Sequence, residues 1–166
     1  MNILNDPSMK EIVQDFCIES NGLLHEMETI LSEFEDNLTQ TKNLERFGQI
    51  IDRMMGAAKS LNLNTLATLC ELGKTIGYKA SQVTDENLLN VVCGILFDNI
   101  EIIKKMIHGI NTQNQDIMKN INLETFVGRL RWLSDKFKNI QRSSVAIDKA
   151  NMDQQSIDNL LKNLGF

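Results

Sequence analysis

Proline, tryptophan and tyrosine are nearly absent from this sequence. Its 166 residues include one proline, Pro7, one tryptophan and one tyrosine. Because proline interrupts helices, its absence after residue 7 permits long, unbroken ones. Alternating β-branched residues are also scarce, and apolar residues recur at spacings of three and four. This pattern predicts an all-α protein.

The sequence also lacks an excess of basic charge and a long apolar run. Its formal net charge of −5 argues against a nucleic-acid surface. Apolar stretches such as "VVCGILF" are far shorter than the roughly 18 residues of a membrane span. The opening "MNILNDPSMK" lacks a basic region followed by an apolar one, so we expect neither a signal peptide nor membrane insertion.

The three cysteines do not have the spacing of metal ligands. Cys17, Cys70 and Cys93 lie far apart among apolar neighbours. We therefore expect buried free thiols, no metal site, no cofactor of the chain's own and a reducing cytoplasm.

Apolar periodicity predicts five long helices. The expected organisation is a bundle over residues 1–140 with a four-helix antiparallel core, a polar linker over 141–152 and a tethered helix over 153–166. In the first helix Ile12, Phe16 and Leu23 are expected to face inward, and in the second Phe47, Ile51 and Met54. Thr84 is expected to cap the fourth helix. The five helices are predicted at about 8–35, 44–60, 65–80, 85–108 and 122–140.

The last 14 residues, "DQQSIDNLLKNLGF", form an amphipathic pattern. Asp153 can cap a helix whose apolar side chains Ile157, Leu160, Leu161 and Leu164 follow at i, i+3, i+4 and i+7. A helix this short is marginal alone in water, so its stripe needs a partner. Two alternatives are open: the stripe packs back on its own bundle, or it docks in a groove of another protein.

Two stretches, "FCIESNGLLHEMETILSEFED" and "IIDRMMGAAKSLNLNTLATLCELGKTI", resemble the histidine-phosphotransfer (Hpt) domain of the chemotaxis kinase CheA. The resemblance covers about residues 8–140 and implies a five-helix Hpt-like bundle. The family's motif is a phosphorylated His, two residues, then Lys-Gly. Asp52 stands at the His position, Met55 at the Lys position and Gly56 at the Gly position.

Asp52 is the decisive departure from that family. It has no imidazole, so no phosphohistidine can form there. The family places an acid on the next helix to orient its His, and Lys74 takes that place here. We therefore expect an exposed Asp52–Lys74 ion pair in place of the His–acid pair. His25 and His108 are expected to be ordinary structural or solvated residues.

The C-terminal stretch resembles a second family. "DQQSIDNLLKNLGF", ending in Leu-Gly-Phe, is similar to the C-terminus of CheZ, the phosphatase of phosphorylated CheY. "SIDNLL" also resembles the CheY-binding motif of the flagellar switch protein FliM. Both resemblances imply binding to a CheY-like response regulator. The implied contact residues are Ile157, Asp158, Leu160, Leu161, Leu164 and Phe166.

The second helix carries the candidate site. Glu45, Gln49 and Asp52 are spaced by four and three residues and share a face with Gly48 and Gly56. In the Hpt family this helix docks the receiver, and a glycine there lets a partner approach the backbone. The resemblance therefore implies that Gly48, Met55, Gly56 and Lys74 contact the receiver. Gln49 can orient a water molecule, and either acid can contact a receiver lysine. The Mg²⁺ ion would belong to the receiver.

Two hypotheses of different class follow. The chain is either a CheZ-like receiver phosphatase or a noncatalytic adaptor that sequesters the receiver from the kinase or flagellar switch. Two other constellations match more weakly: "DNLTQ", residues 36–40, in a predicted loop, and Asp135 with Asn139 on the fifth helix.

Overall fold

The computed structural model describes residues 6–143 and 154–166, and all regular structure in these ranges is helical. Six helices have ten or more residues and one has five. A 3-10 turn at Pro7–Met9 precedes them. The helices are α1 (Lys10–Asp36), α2 (Lys42–Ser60), α3 (Asn64–Ser81), α4 (Glu86–Asn111), α5 (Gln115–Lys119), α6 (Glu124–Ser143) and α7 (Gln154–Asn163).

The first four long helices form a bundle. α1 packs against α2 and α4, and α3 packs against the same two helices, so the four surround one core. Their connections are only three to five residues long, which makes consecutive helices antiparallel neighbours. The interior is apolar and includes Phe34, Phe47, Met27, Leu69 and Ile103, each essentially inaccessible to water.

The predicted inward faces are largely confirmed, with one error in α1. Ile12 is 49% exposed, whereas its neighbour Val13 is buried. The stripe predicted from Phe16 onward shows which face α1 buries. Val13 lies three residues before Phe16 on that face, and Ile12 lies a further 100° around the helix.

α4 has a side-chain cap at its N-terminus, whereas α1, α2 and α3 have none. Asp85, rather than the expected Thr84, caps α4 by accepting hydrogen bonds from the backbone N–H groups of Asn87 and Leu88. At the α2–α3 turn Asn62 has a φ of 54°, a left-handed conformation that asparagine tolerates better than most residues. This residue reverses the chain and brings Lys74 of α3 alongside α2.

The second half of the chain differs from the predicted boundaries. α4 continues past His108 to Asn111, because Gly109 faces the interior rather than ending the helix. The short α5 was not predicted. α6 extends to Ser143, so the first three residues of the predicted linker are helical. The rest of that linker and Asp153 lie outside the described residues.

α6 and α7 add to the bundle on the side of α3 and α4. α6 packs on α4, and α7 packs on α3 and α6. The α7 side chains Ile157, Leu160 and Leu161 are buried there. Of the two alternatives for this stripe, the structure shows the first, in which the helix packs on its own body.

Candidate functional site

The outer face of α2 is bounded on one side by ion pairs to α1. Arg46 lies 3.6 Å from Glu33, and Arg53 lies 3.4 Å from Glu19. All four side chains are more than half exposed, so each pair stabilises the fold by at most about 1 kcal/mol. They keep this edge of α2 polar and leave the face beyond it open to solvent.

Ion pairs to α3 bound the other side of the same face. The Lys74 Nζ atom donates a hydrogen bond to Asp52 Oδ1 over 2.6 Å, and Lys59 lies 3.5 Å from Glu71. The side chains of Lys74 and Asp52 are 37% and 47% exposed. The predicted exposed Asp52–Lys74 pair is therefore confirmed. Its carboxylate is already engaged by a cation within the chain.

Gly48 and Gly56 are not needed for packing. A Cβ atom built at either residue meets no other group within 4 Å. Each glycine nevertheless weakens a helix interior by roughly 1 kcal/mol relative to alanine. The internal contacts of the fold therefore give no reason for two glycines here, and the backbone of α2 is open to close approach from outside.

Gln49 and Glu45 complete this surface, which we call the α2 face: Glu45, Gly48, Gln49, Asp52 and Gly56. Gln49, Glu45 and Gly56 are exposed, and Asp52 and Gly48 are half-buried. Within the described part of the chain, no hydrogen bond engages the Gln49 side chain. The α2 face thus presents the exposed carboxamide of Gln49 and carboxylate of Glu45 beside the Asp52 carboxylate that Lys74 engages, on the one helix face predicted from their spacing.

Met55, expected to contact the receiver, is half-buried and packs partly against the core. It stands at the Lys position of the Hpt motif and adds an apolar edge on the α3 side of α2. Neither histidine lies on α2: His25 is an exposed residue of α1, and His108 is an exposed residue near the end of α4.

The α7 residues are placed away from the α2 face. Because α7 packs on α3 and α6, its stripe faces the body of the protein. Leu164 is half-buried, and only Asp158 and Phe166 among the expected contact residues are exposed. The structure therefore does not bring the C-terminal residues and the α2 face into one site.

The two weaker constellations predicted from the sequence lie outside α2. Asp36 is the last residue of α1 and Gln40 lies in the following loop, as expected. On α6, Asp135 pairs with Lys138 at 3.6 Å, and Asn139 is exposed at the edge of a groove between α4 and α6. The sequence analysis missed this groove, although Trp132, the only tryptophan, lies off the apolar stripe of its helix and could have indicated it.

The three thiols are free and buried, as predicted. Burial raises the pKa of Cys70 to about 12, and burial together with the nearby Glu35 carboxylate raises that of Cys93 to about 12. These groups are protonated at neutral pH and are poor nucleophiles. Thiol chemistry therefore has no candidate residue here.

No cluster of three or more His, Cys, Asp or Glu residues within the described ranges could hold a metal ion. Among the same residues, no helix is both long enough and apolar enough to traverse a bilayer. Comparisons with protein-family models, with curated proteins and with solved structures gave no match. The Hpt-like and CheZ-like resemblances are consequently sequence-based interpretations of an all-helical bundle.

Proposed function

We propose that this chain binds a phosphorylated CheY-like response regulator through its α2 face and promotes dephosphorylation of that receiver. The observation that carries the proposal is the pair of glycines beside an exposed carboxamide. Gly48 and Gly56 cost helix stability without serving the fold, and Gln49 lies between them in sequence. Close approach by a partner supplies the missing reason for both features.

The proposed chemistry uses the receiver's own active site. Water attacks the phosphorus of the aspartyl phosphate, the bond between phosphorus and the carboxylate oxygen breaks, and inorganic phosphate leaves. The receiver's Mg²⁺ stabilises the charge that develops on the phosphoryl oxygens. Gln49 would hold the attacking water, as a glutamine does in small GTPases. Glu45 or Asp52 would contact a receiver lysine.

A noncatalytic adaptor is the second candidate, and the Asp52–Lys74 contact favours it. A carboxylate that already has a cation 2.6 Å away is less available to a receiver lysine. In this version the chain is a pseudo-Hpt module. It occupies the receiver and keeps it from the chemotaxis kinase or the flagellar switch, in the cytoplasm where these proteins act.

In both the phosphatase and the adaptor hypothesis, α7 can bind the receiver only after it dissociates from α3 and α6. Ile157, Leu160 and Leu161 cannot contact α3 and α6 while they contact a receiver. Burial of such a side chain is worth roughly 1.5–3 kcal/mol, so undocking has a substantial cost. We therefore expect the intact chain to bind a receiver through its tail more weakly than a free peptide with the same sequence does.

The direct test is the decay of phosphorylated CheY with and without the full chain. Acceleration that Gln49→Ala removes, with the affinity for the receiver unchanged, would support the phosphatase. Gln14→Ala, at an exposed glutamine of α1, is the matched control and should keep full activity. Binding without acceleration would establish the adaptor, and absence of binding would exclude both.

A chain ending at residue 143 separates the role of the tail from that of the α2 face. If the α2 face docks the receiver, this shortened chain should still bind, provided that circular dichroism shows a folded bundle. If only the tail docks, the shortened chain should not bind the receiver, and a peptide of residues 153–166 should bind it. Calorimetry against Mg²⁺-loaded, phosphate-mimic-activated CheY distinguishes these outcomes.

A further inference from the structure

Helix α3 buries two opposite faces, whereas an outer helix of a bundle buries one. Its core face carries Gly73 and Gly77, which meet α2 and α4. Thr68, Leu72 and Thr75 follow one another at spacings of four and three on the other side of the helix. They are buried as well, with at most 9% of their surface exposed. We call these three residues the outer stripe of α3.

α7 is the helix that covers the outer stripe. Besides α2 and α4, which pack on the core face, α7 makes the largest contact with α3 among the described residues. Lys79 continues the stripe by one turn, and its Nζ atom lies 5.9 Å from the centre of the Phe137 ring of α6. The stripe therefore lies beside α6, where Ile157, Leu160 and Leu161 of α7 are buried.

The outer stripe differs in composition from the core face of the same helix. Two of its three residues are threonines, whereas the core face consists of apolar side chains and glycines. The Thr68 hydroxyl donates a hydrogen bond to the carbonyl oxygen of Asn64, one turn earlier in α3, over 3.0 Å. This hydroxyl keeps its partner whether or not α7 is docked. Exposure of the stripe therefore leaves the Thr68 hydroxyl satisfied.

α7 also completes its own C-terminus. The N–H of Gly165, a residue with a φ of 91°, donates to the carbonyl of Lys162 over 3.0 Å. The N–H of Phe166 donates to the carbonyl of Leu161 over 3.1 Å. These bonds form a Schellman motif, which satisfies the last carbonyls from within the helix. The hydrogen bonds at this end of α7 thus do not depend on the body, although a helix of ten residues is marginal alone in water.

The docked position of α7 hides the side chains that the tail would offer to a partner. Ile157, Leu160 and Leu161 are buried on the body, and Leu164 is half-buried. We infer that the docking of α7 on the outer stripe of α3 is a reversible, autoinhibitory contact that limits binding of the receiver by the tail. The identity of this partner rests on the proposed function. The apparent affinity of the tail is reduced in proportion to the fraction of molecules in which α7 is undocked.

Backbone hydrogen exchange in the full chain, without a receiver, tests whether α7 docks reversibly. We expect the α7 amides to exchange at least about tenfold more slowly than those of a free peptide of residues 153–166. In low urea they should lose this protection before the amides of α2 do, because a reversible contact opens without global unfolding. Exchange at the rate of the free peptide would overturn the inference. So would loss of protection only together with α2, since α7 would then be part of the core.

Matched variants of α3 test the outer stripe as the docking site. Thr75→Arg places a long charged side chain at a buried residue of the stripe, and Thr65→Arg makes the same change at an exposed residue of α3. Thr75→Arg should bring α7 exchange to within about threefold of the free peptide while α2 stays protected, and Thr65→Arg should change neither. Leu160→Ala, which leaves α3 intact, should also speed exchange and decides the matter if Thr75→Arg does not fold. Full protection of α7 in Leu160→Ala and in a folded Thr75→Arg would overturn the inference.

Receiver binding by the full chain is the second measurement. In calorimetry against Mg²⁺-loaded, phosphate-mimic-activated CheY, Thr75→Arg should bind at least about tenfold more tightly than the wild type, and Thr65→Arg should match the wild type. An unchanged affinity in a Thr75→Arg chain whose α7 exchanges freely would overturn the autoinhibition. Absence of binding by every chain and by the peptide would instead exclude the proposed function, and with it the receiver as the partner. Hydrogen exchange alone would still decide whether α7 docks reversibly.

Discussion

The glycines of α2 and those of α3 serve opposite purposes in neighbouring helices. A Cβ at Gly73 would lie 2.5 Å from Asn99 Oδ1 and 2.7 Å from Ile51 Cδ1, and one at Gly77 would lie 3.2 Å from the carbonyl oxygen of Leu44. A Cβ at Gly48 or Gly56 would meet nothing. The α3 glycines let helices approach each other. The α2 glycines have no such packing role among the described residues, which is why the proposed function assigns them a role in docking.

The same contrast extends to the polar groups beside these glycines. Asn99 is fully buried, and its Nδ2 atom donates to the carbonyl of Leu69, while its Oδ1 atom has no partner among the described residues. That oxygen lies next to the position that a side chain at Gly73 would occupy. Beside the α2 glycines, Gln49 is exposed, and the half-buried Asp52 is engaged by Lys74. Packing and a buried hydrogen bond hold Asn99 in place, whereas no contact within the described chain holds the Gln49 side chain.

The largest effect is expected from Gly73→Ala. The new methyl group overlaps a buried amide that is fixed by its hydrogen bond, and such overpacking costs typically 1–3 kcal/mol. The gain in helix propensity, roughly 1 kcal/mol, offsets only part of this cost. We expect a lower free energy of unfolding in urea at unchanged slope, with Gly22→Ala, in open space, as the control that should stabilise. A Gly73→Ala variant as stable as the wild type would contradict the packing role.

The buried thiols provide a second measurement of that variant. Cys70 lies three residues before Gly73 on α3, and burial keeps its pKa at about 12. Unfolding returns this thiol toward its ordinary pKa near 8.5. Because the folded-state pKa is the higher, the contribution of this group to stability is complete below about pH 8.5 and declines as the pH rises from there toward 12. Alkylation at pH 8 should therefore be slow in the wild type and faster in Gly73→Ala.

Much of the fold could be predicted from the sequence, because helical periodicity depends on local spacing. The cores of α1 to α4, the burial of the cysteines and the Asp52–Lys74 contact were all predicted. The boundary at His108 was wrong because a glycine ends a helix only where its surroundings do not bury it, and Gly109 is buried. The surface on which α7 packs could not be predicted, because an amphipathic stripe does not specify which surface covers it.

The next effect is expected from Gly77→Ala, where the contacts are tight but not overlapping. The neighbours lie at 3.2 and 3.4 Å, and one of them is backbone, which cannot rotate away. A shift of a few tenths of an ångström should nearly cancel the gain in propensity. We expect a change in unfolding free energy of about 0–1 kcal/mol, smaller than that of Gly73→Ala. A larger loss than at Gly73 would show that the contact of Gly77 with the α2 backbone limits the packing of α3 more strictly than the contact of Gly73 with Asn99 of α4 does.

Gly48→Ala and Gly56→Ala should act in the opposite direction. Each should raise the free energy of unfolding by roughly 0.5–1 kcal/mol, because the methyl group meets nothing and the helix gains rigidity. Their affinity for an activated receiver should nevertheless fall, whereas Gly22→Ala should be stabilised by a similar amount with its affinity intact. If both α2 variants are stabilised and bind normally, the glycines do not mark a docking surface, and the proposed function loses its main support.

The smallest effect on stability is expected at the Asp52–Lys74 pair. Both side chains are more than a third exposed, so solvent and salt screen their attraction, and an exposed pair is worth about 0–1 kcal/mol. Lys74→Met should therefore leave the thermal midpoint nearly unchanged, and Arg53→Met, which breaks the neighbouring exposed pair with Glu19, is the matched control.

The affinity of Lys74→Met for the receiver distinguishes two roles for this pair in docking. Freeing the Asp52 carboxylate should strengthen binding if Asp52 contacts a receiver lysine. It should weaken binding if Lys74 itself contacts an acid of the receiver. An unchanged affinity in both variants would show that the ion pair lies outside the docked surface and that Gly48 and Gln49 must account for it.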